Sequence, residues 1–263
     1  TNPNPDGFPS GFLTATPAPQ SLIQVAEQSV LHNDPWLADG ATETIGNNVD
    51  DFFNSIRTAD GTFDLFFQLP ESSSEFRPQD GDFRAQITAS NTFDYFYDEL
   101  DAPNDYVQRP PTDPTLPVPV NDPQLSAKIV NGFYTINYLH DLFYDLGFDE
   151  VSGNAQLDNF GRGGIDGDPI IYNPSFALGI FIIALGDGES PVVLQGINPF
   201  SLSNRDAALE TPVIAHEFSH YMVRRLLGGG VSFLNHTQGR ALNEGWSDFL
   251  GIYLSIDEGD ALP

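Results

Sequence analysis

The stretch TPVIAHEFSHYMVRRLLGGG (211–230), followed by ALNEGWSDFLGIYL (241–254), decides how this chain is read. It places two of the five histidines, His216 and His220, four residues apart, with Glu217 directly after the first. On an α-helix such residues lie about 40° apart around the axis, so both imidazoles address one side. Imidazole nitrogens on one side of a helix can reach a single zinc ion, with bonds of about 2.0–2.1 Å. Glu217 projects beside them, placed to act on a water rather than to ligate. Val213, Ile214, Phe218, Tyr221 and Met222 are expected to face the core while the histidines face a cleft.

A third ligand completes such a site. The variant in which a third histidine lies six residues past His220 is excluded, because Leu226 stands there and Val223 replaces the glycine that pattern needs. Glu244 is the better candidate, on the next predicted helix. Asp248 follows four residues later on the same face, placed to accept the free N–H of a ligating imidazole and fix its tautomer. His236 is the rival ligand, in a loop preceding that helix. Trp246 is expected to pack in the core.

Composition narrows the function classes. The chain has 263 residues, with 37 acidic against 10 basic side chains, a formal charge of −27. That surface repels nucleic acid and anionic membranes and suits divalent cations and basic substrates. Cysteine is absent, which removes disulfides, thiol nucleophiles and thiolate-bound zinc. The apolar run ALGIFIIAL (177–185) is too short to span a membrane.

Along the chain, residues 1–119 form a first part rich in Pro, Gly, Asp and Asn, where runs such as SLIQVAE, FDLFFQL and FRAQITA predict strands between long loops. RPPTDPTLPVPVNDP (109–123) holds six prolines and predicts an extended connector. The second part, 120–263, begins with a helix over 122–148, carried by Ile129, Phe133, Ile136, Leu139, Phe143 and Leu146 and closed by Gly147. His140 and Asp141 on that helix predict structural hydrogen bonding. Asp158, Asp166 and Asp168 in the following loop form a candidate Ca²⁺ site or a solvated acidic turn. A strand is expected within 176–185, and two further helices over about 206–227 and 239–256. The fold class expected is α+β, with the HExxH helix packed on a sheet whose edge strand borders the cleft.

HEFSH (216–220) together with NEGWSDF (243–249) resembles the fungalysin-type zinc metallopeptidases, relatives of thermolysin. DPWLADGATETIGNNVDDF (34–52), NGFYTINYLHDLFYDLGFDEVSGNAQLDNFGRGGIDGDP (131–169) and NRDAALETPVIAHEFSHYMVRRLLGG (204–229) resemble the bacterial branch of that family. The resemblance implies a zincin lobe and a secreted, monomeric endopeptidase acting on proteins or peptides, made with an inhibitory propeptide. It implies one catalytic Zn²⁺ on His216, His220 and Glu244, with Glu217 as general base and acid. Two features depart from the family. The run GIFIIALGDGESP (179–191) lacks the asparagines that hold substrate on the edge strand. The chain also ends at Pro263, where the family continues into a helical C-terminal lobe, so that lobe is expected to be missing. A second reading follows from these departures: a catalytically impaired relative serving as a zinc-stabilised extracellular binding module.

Overall fold

The computed structural model describes residues 34–53, 82–90, 92–97, 122–174, 180–195, 207–228 and 236–256. Four short strands form one mixed sheet: β1 (Val49–Asp51), β2 (Ile170–Asn173), β3 (Phe181–Ile183) and β4 (Val192–Leu194), in the order β1-β2-β4-β3. β1, β2 and β4 run parallel, and β3 pairs antiparallel with β4 at the edge. Three helices accompany the sheet: α1 (Pro123–Asp145), α2 (Thr211–Gly228) and α3 (Thr237–Tyr253). The architecture is therefore mixed α+β. No helix among the described residues is long and apolar enough to cross a membrane.

The start of α1 is fixed by Asp122, whose carboxylate accepts from the amides of Gln124 and Leu125. Pro123 takes the first helical position, where its missing N–H has no partner to lose. The proline-rich segment therefore does not stay extended to residue 123. Its last proline opens the helix, and 109–121 lie outside the described residues. Helix α1 closes three residues earlier than its periodicity suggests, because Gly147 at φ +100° turns the chain and Phe148 folds back onto the Phe143 carbonyl.

Between β1 and β2, α1 comes unusually close to the sheet. A Cβ on Gly132 would lie 2.2 Å from the Tyr172 ring and 2.6 Å from Asp51 Oδ2. The main core joins Val49, Phe133, Ile136, Leu139, Tyr172, Val193, Ile214, Phe218 and Tyr221, so β1, α1, the sheet and α2 share one apolar interior. Ile214, Phe218 and Tyr221 are buried as their spacing predicts, Met222 is partly buried against the core, and Val213 is intermediate.

The expected strand content of the N-terminal part is reduced. FRAQITA (83–89) makes only isolated bridges, Phe53 with Phe83, Glu43 with Gln86 and Ala89 with Thr92, and packs its phenylalanine on Leu125 and Ile129 of α1. A short bridge of this kind uses the alternation of the sequence without a neighbouring strand long enough to extend the ladder. SLIQVAE (21–27) and FDLFFQL (63–69) lie outside the described residues. In the 176–185 run the described strand is Phe181–Ile183.

Candidate metal centre

Helix α2 runs beneath the edge of the sheet, and a hydrogen bond of 3.4 Å from Arg224 Nη1 to the Ile182 carbonyl links it to β3. The next residue, the buried Arg225, binds Asp168 Oδ2 at 3.1 Å, Asp187 Oδ1 at 3.3 Å, and the carbonyls of Gly153 and Glu189. This guanidinium holds the glycine-rich loop and the β3–β4 turn against the end of α2. The HExxH helix is thus anchored at the end beyond the histidines.

α3 begins one loop later, where His236 caps it by accepting from the Gly239 amide at 3.0 Å through Nδ1. That role occupies the rival ligand. Gly251 lets α3 approach α2: a Cβ there would lie 2.6 Å from the Pro212 carbonyl and 3.8 Å from the Cβ of His216. Gly251→Ala is expected to push the helices apart, an overpacking effect of about 1–3 kcal/mol that the better helix propensity of alanine offsets only in part. Thermal unfolding should show a Tm lowered by several degrees and zinc titration a weaker site. An unchanged Tm would mean that the close approach is unimportant.

The contact between these helices creates the site. Glu244 Oε2 lies 3.3 Å from His216 Nε2 and 3.3 Å from His220 Nε2. The two rings stand nearly perpendicular with centroids 4.6 Å apart. One ligand atom from each of the three residues lies within 4.8 Å of the others, and among the described residues this is the one such group able to hold a metal ion. On the far side of the rings, Asp248 Oδ1 is 2.9 Å from His216 Nδ1, and Ser247 Oγ is 3.0 Å from His220 Nδ1. Both Nε2 atoms are therefore turned inward and both Nδ1 atoms are engaged outside. Two imidazoles and a carboxylate in this arrangement suit zinc, and a site with three protein ligands leaves a coordination position open.

Glu217 sits between this centre and the interior, only 6% exposed. Burial pushes its carboxyl up to about 8, the neighbouring Glu244 adds to the rise, and Arg224 opposes it. Burial likewise lowers the His220 pKa, against the pull of Glu244. Neither effect is visible in a motif, because both come from what covers the helix.

The remaining candidates separate from the centre. His140 is buried behind it, with Nδ1 3.2 Å from Asp141 Oδ1 and Nε2 3.0 Å from Asn154 Nδ2, while Asp141 also accepts from Trp36. The Ca²⁺ reading of Asp158, Asp166 and Asp168 finds no support. Asp168 is fully buried and taken up by Arg225 and the amides of Gln156 and Gly188, and Asp158 caps the Phe160 amide. Trp246 does not pack in the core. It is 52% exposed and meets Phe249 edge-on, next to Tyr253, in a stripe that begins at Leu242. α3 presents Gly239, Ser247 and Gly251 inward, so the opposite face carries the aromatics outward. Ser247, Asn243 and Arg224 were not singled out from sequence. Ser247 had a readable signal, since three residues after Glu244 is the same helical face.

Residues 9–262 match the family described as fungalysin metallopeptidase (M36). The chain belongs to that family. Its relatives include the extracellular metalloproteinase MEP of Fusarium vanettenii, 26% identical over 96% of this chain and 35% of its own length. Extracellular metalloproteinase 1 of Phaeosphaeria nodorum is 28% identical over 86% of this chain and 36% of its own. The extracellular metalloproteinase MEP of Pyricularia oryzae is 35% identical over 49% of this chain and 21% of its own. The fungalysin chain thus spans between about a fifth and just over a third of these relatives. All three are fungal, so the bacterial branch expected from the motifs is not supported by them.

Proposed function

We propose that this chain carries the zinc centre of a secreted endopeptidase that hydrolyses peptide bonds in proteins. The observation that carries the reading is the convergence of Glu244 Oε2 on both inward-facing Nε2 atoms at 3.3 Å. His216, His220 and Glu244 would hold the ion, with Asp248 orienting His216. Zinc, when bound, supplies Lewis acidity that polarises a scissile carbonyl and acidifies a water. Glu217 then takes the proton from the attacking water and passes it to the leaving amine. Its burial supports this, because an enclosed carboxyl beside the centre meets the reacting groups with little competing water. β3, at the sheet edge beside α2, offers main-chain groups for an extended substrate to pair with. Secretion is supported by the extracellular naming of the relatives.

Casein hydrolysis tests the reading. It is expected to vanish on treatment with a zinc chelator and to return when zinc is restored. Hydrolysis that survives complete removal of metal would exclude it. Stoichiometric zinc binding without any turnover would instead favour a zinc-stabilised binding module, the reading to which the open aromatic face of α3 lends weight.

A further inference from the structure

We propose that Ser247 is a positioning residue for the metal centre: its Oγ accepts the Nδ1 proton of His220 and so leaves the Nε2 lone pair of that ring for the ion. The inference rests on the zinc reading and assigns a role within it. A neutral imidazole carries one N–H, and a ring that ligates through Nε2 must carry it on Nδ1. For His220 the inward nitrogen is Nε2, since that atom faces Glu244. Its Nδ1–H therefore needs an acceptor, and at 6% exposure the residue has little access to water. Ser247 Oγ is 3.0 Å away and fully buried.

The helix places this hydroxyl without further adjustment. Residues three and four apart share a helical face, so Glu244, Ser247 and Asp248 all meet the histidine pair. α3 thereby supplies one inner carboxylate and two outer acceptors, one for each ring. The two acceptors differ in kind. Asp248, at the open side, is an exposed carboxylate, whereas Ser247 is neutral and fully buried. A neutral acceptor orients His220 without adding another charge to a pocket that already disfavours the Glu217 carboxylate. Asn243 also reaches this ring with its side chain and is the competing acceptor, so it is varied alongside Ser247.

The test is zinc affinity, measured by competition with a chromophoric chelator, alongside thermal unfolding of the metal-free proteins. Ser247→Ala is expected to weaken zinc binding by about tenfold, the usual consequence of removing an outer hydrogen-bond partner. Ser247→Thr, which keeps the hydroxyl, should recover most of that loss, and the metal-free Tm of Ser247→Ala should stay close to that of the wild type. Equal affinity in Ser247→Ala overturns the proposal, as does a loss that threonine fails to rescue or one reproduced in full only by Asn243→Ala. Should Ser247→Ala not fold, the wild-type protein loaded with ¹¹³Cd and carrying ¹⁵N-histidine decides. Metal coupling to Nε2 of His220 with a retained Nδ1 proton is expected, and coupling to Nδ1 overturns the assignment. Failure of the wild type to bind zinc removes the metal-site reading together with this one, whereas normal zinc binding in Ser247→Ala removes this one alone.

Discussion

Glu217→Gln is expected to lower peptide hydrolysis by about 10²–10⁴-fold while zinc stays bound, the range usual for loss of a positioned general base. The physical case rests on shape and charge. Glutamine keeps the volume of a side chain that is 6% exposed, so the packing of α2 in the fold is little disturbed. It cannot accept a proton, and it resembles the neutral acid that the buried site already favours. His216, His220 and Glu244 are untouched, so metal content should match the wild type. The measurement pairs casein turnover with zinc determination on the same sample. Turnover reduced less than tenfold would mean that another group moves the proton. Zinc lost together with activity would mean that Glu217 takes part in holding the ion.

The second large effect lies in how the metal-free protein responds to pH. The Glu217 carboxyl is raised from its ordinary 4.5 to about 8 in the fold. Between those values the folded state holds a proton that the unfolded chain has released, so stability falls as pH rises through the window and levels off above it. At about 1.4 kcal/mol per unit, this one group contributes a decline of up to about 5 kcal/mol across that window, most of it between about pH 5 and pH 8. Urea unfolding of the chelator-treated protein at pH 5 and pH 8 reads the difference directly. Glu217→Gln has no proton to release, so its slope should be flatter by that amount. Parallel slopes in the two proteins would show that the carboxyl ionises normally. Bound zinc should also flatten the wild-type slope, since a nearby dication favours the carboxylate.

Both expectations depend on features of unequal visibility in the sequence. The spacing of His216 and His220 placed two imidazoles on one helical face, because the α-helical repeat is a local property of the backbone. The same repeat put Glu244 and Asp248 on one side of the next helix. The three helices were readable for the same reason, with ends displaced by the caps at Asp122 and His236 and by the glycine turn at 147. Strands were less readable. Phe83 and Ala85 alternate as a strand would, yet only Phe83 makes a bridge, because strand formation requires a partner from elsewhere in the chain. Trp246 shows the same limit from the other direction. Its size and apolarity predict burial, but which side of α3 is covered depends on the approach of α2 at Gly251.

By itself, then, the sequence determined the chemical kinds available: two imidazoles on one helix face, an adjacent acid, a later pair of carboxylates, no thiols, and a strongly negative surface. Tertiary structure alone decided that Glu244 meets both rings at equal distance and that His236 caps a helix. It also decided that Asp168 is spent on Arg225, and that Ser247 faces His220. The physical reason is range. Helical periodicity is fixed by neighbours a few residues away, whereas distances between α2 and α3, and the burial that lifts the Glu217 carboxyl, arise only when separate segments pack together.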